Sequence, residues 1–414
     1  MDDLLFLCHR IPYPPDKGDK IRAWPILRHL AASHRVHLGC FMDDPADAVH
    51  LPTLRTICAD VLCVPLHPRR QKLRALAHLR PGRAMTLAYF RDARLEHWVD
   101  DLFVRRRVAR VFAFSSGIAP YALRHPAPVR ILDMVDIDSE KWLDYAAQRR
   151  WPARLLWARE GRTLLAFERH AAAAFDRTLF VSEDESLRFA ALAPECLDRI
   201  GWIENGVDLE RFSPMFRCAS PFGVDASAIV FTGTMDYWPN ASAVIWFAQE
   251  VMPALREMRP AAEFHVVGAN PGREVRQLAG RPGVHVSGRV VDTRPYIAHA
   301  AAVVAPLKLA RGIQNKVLEA MAMGKPVVAS PQAFEGIRAI PGRDLLVAES
   351  ADETAAAVNA LLDGKHPGLG RNARAVVEAS YGWPAKLAQL DSLLQVNETP
   401  RAPLVEAQRT GLPA

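Results

Sequence analysis

The residues best suited to chemistry lie in the stretch 306–330, which reads as an apolar run, a loop, a segment of helical period and a second apolar run. Backbone N–H groups of such a loop and of the first helical turn attract anions, because the helix dipole places partial positive charge there. Lys316 adds a full charge beside them, and Glu319, one turn further on, could accept hydrogen bonds from two vicinal hydroxyls. The pattern predicts a site for a diphosphate next to a ribose. It fits equally well an ordinary amphipathic helix with Glu319 in solvent.

Two further motifs are predicted to follow strands, where the ligands of parallel α/β sheets bind. The run 133–139, Asp-Met-Val-Asp-Ile-Asp-Ser, ends an apolar stretch with three carboxylates, which could also cap a helix or play a structural role. Its Asp136-Ile-Asp138 spacing fits an Asp-x-Asp motif for a divalent cation, but so short a motif is weak and no metal is expected. Lys17-Gly18-Asp19-Lys20 opens a predicted helix, and its glycine either lets the backbone approach a ligand or forms a plain turn.

Short apolar runs alternate with helical-period segments along the chain, as in βα units that build a parallel sheet. A first series predicts strands at 4–8, 36–41, 61–64, 110–114, 129–135, 178–181 and 202–204, and a second at 228–232, 263–267, 284–286, 302–305, 326–329 and 345–347. Helices are predicted at 20–32, 70–78, 154–175, 184–192, 241–258 and 315–323, with helices of ten or more residues between the strands of the second series. The expected fold class is α/β, with two Rossmann-like, doubly wound domains facing a cleft.

The domain boundary is predicted in the turn-rich segment 205–214, Asn-Gly-Val-Asp-Leu-Glu-Arg-Phe-Ser-Pro, which separates the two series. We predict domains at residues 1–205 and 206–380, a last helix at 381–396, and a disordered tail at 397–414 that is rich in Pro, Arg, Thr and Gly.

The net charge of +6 lies in the first half of the chain. Between residues 66 and 130 there are 14 Lys and Arg against 4 Asp and Glu. This basic segment is either a solvated surface or one that attracts an anionic membrane or a phosphate-bearing substrate. No nucleic-acid-binding motif accompanies it, so no nucleic-acid partner is expected.

The cellular compartment is predicted from the spacing of the cysteines and from the length of the apolar runs. The 6 cysteines form no Cys-x-x-Cys pair and most lie in apolar stretches, as reduced core residues do. The chain starts with acidic residues, and no apolar run approaches the ~20 residues that span a bilayer. We expect a cytoplasmic protein, at most peripheral on the inner face of the cytoplasmic membrane. The 14 histidines show no metal-binding spacing on a helix, so zinc is not expected.

The segment around Glu319 resembles the signature of glycosyltransferase family 4 (group 1), in which a Glu-x7-Glu motif precedes Leu-Glu-Ala-Met-Ala-x-Gly-x-Pro-Val-Val-Ala. Glu319 matches the second glutamate, and Gly312 the glycine after the first. Other matching pieces occur in family order, at 205–214, 229–237, 266–268 and 284–290. The motifs at 12–24, 133–142 and 311–316 are similar to those of sugar transferases associated with the PEP-CTERM/exosortase exopolysaccharide system.

The resemblance implies the GT-B fold, with the first domain on the acceptor side, the second binding the nucleotide sugar, and the last helix returning to the first domain. It implies a metal-independent, retaining transferase without a cofactor, which moves a sugar from a UDP- or GDP-sugar to a saccharide or polyprenyl-diphosphate-linked acceptor. The catalytic candidates are Glu319, which is expected to bind the ribose, and Asp136. The backbone near Arg289 and Val290 is expected to contact the base. The candidate substrate-binding residues are Lys17, Gly18, Gly233, Arg289, Val290, Arg311, Gly312, Ile313, Gln314, Asn315, Lys316 and Glu319.

Two departures from the family pattern affect these expectations. Arg311 stands where the first motif glutamate contacts the donor sugar in relatives, so that role does not carry over. The Arg/Lys pair that often holds the diphosphate is missing from 234–240, and we hypothesise that Arg311 and Lys316 supply the charge instead. In the alternative, Arg311 is a surface arginine beside the loop. A histidine common in relatives near Asp133 is also missing, and Asp136 or Asp138 could replace it.

Two other functions remain open. One is a nucleotide-sugar epimerase of the same GT-B architecture, which would need no acceptor. The other is a catalytically silent nucleotide-sugar-binding subunit, which the lost glutamate and the lost cation pair would explain.

Overall fold

The computed structural model describes residues 1–15, 18–77, 82–147, 149–224, 226–310 and 313–395. Its contacts divide the chain into two units, one of Met1–Glu204 with the residues from Leu387 onward, and one of Asn205–Lys386. The predicted tail at 397–414 and three candidate site residues, Lys17, Arg311 and Gly312, lie outside the described residues.

The first unit is built on a parallel sheet of seven strands. These are β1 (Asp3–Cys8), β2 (Arg35–Met42), β3 (Asp60–Pro65), β4 (Val108–Phe114), β5 (Val129–Val135), β6 (Arg177–Phe180) and β7 (Ile200–Trp202). Their order across the sheet is β3-β2-β1-β4-β5-β6-β7. The central strands read as continuous apolar runs because helices cover both of their faces.

The second unit repeats this plan with six strands. These are β8 (Ser227–Thr232), β9 (Ala262–Val267), β10 (Val284–Gly288), β11 (Ala302–Ala305), β12 (Val327–Ala329) and β13 (Leu346–Val347), in the order β10-β9-β8-β11-β12-β13. In each sheet the order reverses beside the first strand of the series, and ligands of such sheets bind at the carboxyl ends of the strands at that point. The α/β prediction of two doubly wound sheets is confirmed.

The helices lie between the strands, as βα units require. Those of the first unit are α1 (Gly18–Ser33), α2 (Leu51–Ile57), α3 (Pro68–Ala77), α4 (Met85–Tyr89), α5 (Ala93–Arg105), α6 (Ala119–Ala122), α7 (Asp138–Ala147), α8 (Ala153–Ala174) and α9 (Glu183–Leu192). Then follow α10 (Trp238–Trp246), α11 (Met252–Met258), α12 (Arg273–Gln277), α13 (Arg294–His299), α14 (Asn315–Ala322), α15 (Pro331–Phe334), α16 (Ala351–Leu362), α17 (Leu369–Ser380) and α18 (Trp383–Leu393). The division between the units falls within α18.

Two predictions about these elements are wrong. The strands of the second series are not all separated by helices of ten residues, because α12 has 5 and α13 has 6. A parallel crossover needs about a dozen residues in total, and loops supply the rest. The strand predicted at 202–204 is β7, which ends at Trp202. Beyond Trp202 the Ile203 N–H still donates to the Phe180 carbonyl at 3.0 Å, whereas the Ile203 carbonyl accepts a hydrogen bond from Arg22.

Other expectations agree with the structure. All six cysteines are free thiols, with Cys63 and Cys218 half-buried and the other four buried. In the described part of the chain, no helix has an apolar stretch long enough to cross a membrane.

A buried ion pair joins three elements of the first unit. Arg22 of α1 is 1% exposed and Asp133 of β5 is 0% exposed. The guanidinium donates from Nε to Oδ2 at 2.8 Å, from Nη2 to Oδ1 at 3.2 Å, and from Nη1 to the Ile203 carbonyl at 2.6 Å. Burial raises the pKa of Asp133, and the charge of Arg22 opposes that shift. Asp133 is therefore a structural residue that fastens α1 to the end of β5.

The predicted boundary segment 205–214 is held firmly within the second unit. Arg374 of α17 donates from Nη1 to the Phe212 carbonyl at 2.8 Å and to the Ala322 carbonyl, at the end of α14, at 2.6 Å. Val207 also donates from its backbone N–H to the Tyr381 carbonyl at 2.7 Å. Arg374 thus couples this segment to the helix that carries Lys316 and Glu319.

Replacing Arg22 alone should destabilise the first unit strongly. Arg22→Met leaves the Asp133 carboxylate buried without its cation, which costs about 3–5 kcal/mol in the free energy of unfolding. Urea denaturation measures this change. Arg22→Met combined with Asp133→Asn should recover part of the loss, since the buried charge is gone. If the double variant lost as much free energy of unfolding as the two single variants together, the two residues would not be a coupled pair.

Candidate functional site

Two glycines bring the backbone close together at the carboxyl edge of the second sheet. A Cβ on Gly268, after β9, would lie 1.7 Å from the carbonyl oxygen of Gly233, after β8. Gly233 has φ of +156°, and a Cβ there would lie 2.7 Å from Asn240 Nδ2. Side chains are excluded at both positions, so a ligand above β8 and β9 would meet bare backbone. This gives Gly233, a predicted substrate-binding residue, a physical reason to be glycine.

Lys316 reaches from α14 to the loop that follows β8. Its Nζ donates to Asn240 Oδ1 at 2.7 Å and lies 5.1 Å from the centre of the Phe231 ring. Asn240 is 4% exposed and donates from Nδ2 to the Thr234 carbonyl at 2.8 Å. Burial lowers the pKa of Lys316 to about 8. The loop 234–240, which has no cation of its own, therefore has one from α14 beside it.

The N-terminus of α14 has no side-chain cap. Its N-cap residue, Gln314, makes no capping hydrogen bond. Asn315, the first helical residue, has a buried Oδ1 with no hydrogen-bond partner among the described residues. Ile313 is buried and anchors the preceding loop to the core. The first turn thus offers uncapped N–H groups and a free acceptor next to the ammonium of Lys316.

Glu319 is half-buried and so does not lie on a fully solvated helix face, which was the ordinary alternative. Burial of its carboxylate raises its pKa to about 7, while the charges of Arg211 and Lys316 oppose this shift. The carboxylate accepts no hydrogen bond from the described residues. A half-buried carboxylate without a protein donor is open to a ligand, so it is well suited to bind hydroxyl groups.

Two residues of this region were not predicted from the sequence. Arg211 lies in the segment 205–214, where its N–H donates to Asp208 Oδ1 at 2.9 Å, and its charge acts on Glu319. Asn240 holds the Lys316 ammonium. The motif at 205–214 could have indicated Arg211, but nothing in the sequence pairs it with a glutamate 108 positions later.

Arg289 and Val290 follow the carboxyl end of β10. The Gly268 N–H donates to the Gly288 carbonyl at 3.2 Å, so this loop lies beside the two-glycine contact. Arg289 is exposed and Val290 half-buried. The predicted substrate-binding residues that lie in the second unit are therefore Gly233, Arg289, Val290, Ile313, Gln314, Asn315, Lys316 and Glu319.

The remaining predicted residues belong to the first unit. Gly18 is the first residue of α1, and a Cβ there would have no atom within 4 Å, so packing does not require glycine at that position. The next residue, Asp19, accepts a hydrogen bond from Arg10 at 3.0 Å, and its Oδ2 lies 3.3 Å from His9 Nε2. Burial acts to raise the pKa of Asp19, but the hydrogen bonds and charges of His9 and Arg10 outweigh it and lower this pKa.

Asp136 and Asp138 share a lysine. Lys141 Nζ lies 2.9 Å from Asp136 Oδ2 and 3.1 Å from Asp138 Oδ1. Ser116 Oγ also donates to Asp138 Oδ2 at 3.1 Å. Lys141 supplies the positive charge that an Asp-x-Asp motif would otherwise take from a divalent cation.

The backbone before Asp136 is strained. Val135 has φ of +69° and Ser115, at the end of the neighbouring strand β4, has φ of +82°. Such values are costly for a β-branched residue. Hydrogen bonds maintain them, from the Val135 N–H to Asp133 Oδ1 at 3.2 Å and from the Ser115 N–H to the Asp133 carbonyl at 2.7 Å. Strain of this kind is common next to functional sites.

The raised pKa of Glu319 predicts a specific pH dependence of stability. In the unfolded chain this carboxyl has the ordinary glutamate pKa of 4.5, but in the folded chain its pKa is about 7. Between these values the folded state binds more protons, so stability falls as the pH rises from about 4.5 to about 7. Glu319→Gln should remove this dependence, and its stability relative to wild type should increase with pH across that window.

Urea denaturation at several pH values measures the effect. Glu274→Gln, which changes an exposed glutamate of the same unit, is the control. A difference between Glu319→Gln and wild type that did not vary with pH would contradict the raised pKa.

Comparison with known proteins shows what this chain is similar to. Residues 226–364 match the family described as "Glycosyl transferases group 1". A curated relative, D-inositol 3-phosphate glycosyltransferase 2 of Catenulispora acidiphila, is 26% identical over 317 residues, which cover 67% of this chain and 73% of the relative.

Solved structures share the fold over nearly the whole chain. Sucrose-phosphate synthase of Thermosynechococcus elongatus superposes with a TM-score of 0.68 at 18% identity, covering 95% of this chain and 98% of that protein. HepE of Anabaena, solved in complex with UDP-glucose, superposes with a TM-score of 0.65 at 16% identity, covering 95% and 99%. The match to residues 226–364 and the shared two-sheet fold agree with the resemblance seen in the sequence: the chain is similar to the group 1 glycosyltransferases over this segment and has the GT-B fold.

Proposed function

We propose that this glycosyltransferase moves a sugar from a nucleotide diphosphate sugar, a UDP- or GDP-sugar, to a saccharide or polyprenyl-diphosphate-linked acceptor. The observation that carries the proposal is the position of Lys316 beside the uncapped N-terminus of α14 and the half-buried Glu319. The structure of HepE with UDP-glucose supports a nucleotide-sugar donor.

The diphosphate is proposed to bind at the start of α14. Its charge would meet the ammonium of Lys316, which Asn240 already holds at 2.7 Å, and the N–H groups of the first helical turn. Gly233 would let the phosphates approach the backbone above β8. An anion here would also relieve the desolvation of Lys316 that lowers its pKa to about 8. Arg311 remains proposed as the second cation.

The nucleoside is proposed to bind next to the diphosphate. Glu319 would accept hydrogen bonds from the two ribose hydroxyls, which would give its unpartnered carboxylate the donors it lacks. The backbone near Arg289 and Val290 would meet the base.

The reaction requires the nucleoside diphosphate to leave with its negative charge stabilised. Lys316 and the helix N-terminus would stabilise this charge as the bond to the anomeric carbon breaks, as preorganised dipoles do in other transferases. We propose that the configuration at that carbon is retained, that no metal takes part, and that the reaction serves exopolysaccharide biosynthesis. Lys17, Gly18 and Asp136 are proposed on the acceptor side, where Asp136 could stabilise positive charge on the sugar.

Nucleotide binding tests the proposal directly. Lys316→Met should weaken the affinity for UDP or GDP about tenfold or more, because a half-buried charge-assisted contact is lost. Lys325→Met, which changes a half-buried lysine just after α14, should bind as wild type does. Glu319→Ala should lose the preference for the ribonucleotide over its 2′-deoxy analogue. Isothermal titration measures both effects, and unchanged affinity in Lys316→Met together with unchanged preference in Glu319→Ala would contradict the assigned site.

Turnover separates transfer from the two alternative functions. Release of nucleoside diphosphate that depends on an acceptor supports transfer. An isomerised sugar product without acceptor supports an epimerase, and binding without either product supports a silent subunit.

The basic segment of the first unit is proposed to attach the enzyme to an anionic membrane on the cytoplasmic side. Arg105, Arg106 and Arg107 form an exposed run at the end of α5, next to Val104, which is 86% exposed. Leu73 of α3, 69% exposed, lies in the same basic segment. Cations beside exposed apolar side chains are typical of peripheral membrane surfaces. A polyprenyl-linked acceptor would be reached from such a position.

Co-sedimentation with vesicles tests this attachment. Each arginine near anionic lipid contributes about 1 kcal/mol, so changing Arg105, Arg106 and Arg107 to Ser should weaken binding by more than about tenfold. The same change at the exposed pair Arg149 and Arg150 should have little effect. Vesicle binding that did not depend on the salt concentration or on the anionic lipid content would exclude the proposed attachment.

A further inference from the structure

Three side chains of the second unit that could bind a metal project from one face of its sheet. Glu263 and His265 are two residues apart on β9, and side chains two apart along a strand share a face. His285 of β10 is directly opposite His265 in the parallel register. The residue between the first two, Phe264, points to the other face, where it is fully buried against Phe247.

The potential ligand atoms converge. Glu263 Oε2 lies 3.0 Å from His265 Nε2 and 3.6 Å from His285 Nε2. All three atoms lie within 4.8 Å of one another, and the two imidazole rings stack with centroids 4.6 Å apart. A tetrahedral zinc ion with bonds of about 2.0–2.1 Å separates its ligand atoms by about 3.4 Å. The carboxylate-to-imidazole distances are already near this value, and a small ring rotation would shorten the distance between the imidazoles.

The surroundings leave one side of this cluster closed and one side open. The His265 side chain is 12% exposed and packs against Phe222 at 4.4 Å between ring centroids. The His285 side chain, on the edge strand β10, is 52% exposed. An ion could therefore enter from the edge of the sheet, and solvent could complete its coordination.

We propose that Glu263, His265 and His285 form a binding site for a divalent transition metal of the zinc class. Two imidazoles and one carboxylate are ligands that Zn²⁺, Ni²⁺ and Cu²⁺ accept, whereas Mg²⁺ and Ca²⁺ prefer oxygen. The bound ion ties the edge strand β10 to β9 and stabilises the second unit.

The site is separate from the proposed sugar-transfer site. His265 lies three residues before Gly268, which is about 10 Å along an extended strand. The ion is therefore inferred to act on the stability of the sheet and not on the reaction. Histidine spacing along predicted helices could not indicate these ligands, because two strands supply them, with His265 and His285 20 positions apart.

Titration of the tag-free full chain with ZnCl2 in a non-chelating buffer tests the site. Wild type should bind one ion per chain at this site, and His285→Ala and Glu263→Gln should each weaken that binding at least about tenfold, because a direct ligand is lost. His366→Ala, which removes a histidine elsewhere in the second unit, should bind as wild type does. MgCl2 should not compete with zinc.

Thermal unfolding gives a second readout that also checks the fold of the variants. Zn²⁺ should raise the unfolding temperature of wild type and of His366→Ala, since a ligand bound only to the folded state stabilises it. It should leave that of His285→Ala unchanged. Absence of zinc binding in wild type, or equal binding in wild type and His285→Ala, would overturn the proposal and leave the cluster as a hydrogen-bonded His-Glu-His row.

Discussion

The buried contact between Arg22 and Asp133 is the interaction on which the arrangement of the first unit depends. Two charges that are almost fully removed from water are tolerated only when each is paired and hydrogen-bonded. The bidentate geometry meets this condition, and the contact to the Ile203 carbonyl adds the chain segment that leads into the second unit. One guanidinium therefore positions the helix that begins at Gly18, the strand end that precedes Asp136, and the exit of the chain.

The second unit uses charge in a different way. It has a small excess of basic residues, 19 Lys and Arg against 17 Asp and Glu, yet in the proposed function it binds the anionic donor. Lys316 is held by Asn240, and Arg211 acts on Glu319 from the segment that Arg374 fixes to α14. A few cations held at fixed positions in a desolvated site attract an anion more strongly than many cations in water do, because the effective dielectric constant is lower. Net charge is thus a poor guide to where an anion binds.

Much of the architecture could be predicted because strand patterns are local. The runs at 129–135 and 302–305 coincide with β5 and β11, since a strand buried on both faces is mostly apolar. The α14 segment was also predictable, and Gly324, with φ of +67°, ends it through a hydrogen bond from the Lys325 N–H to the Ala320 carbonyl at 3.0 Å. The bounds of β7 were not predictable from the local pattern, and the Ile203 carbonyl just after this strand accepts a hydrogen bond from Arg22, which is 181 positions away in the chain.

The sequence by itself determined the α/β class, the two series of βα units, and the family motif that contains Lys316 and Glu319. These follow from periodicity and from short motifs, which depend only on neighbouring residues. Only the tertiary structure decided that Glu319 is half-buried, that Lys316 binds Asn240, that Asp133 is a structural residue, and that His265 and His285 are adjacent. Each of these depends on a contact between segments distant in the chain, and burial, the pKa shifts and strand register arise only when those segments pack together.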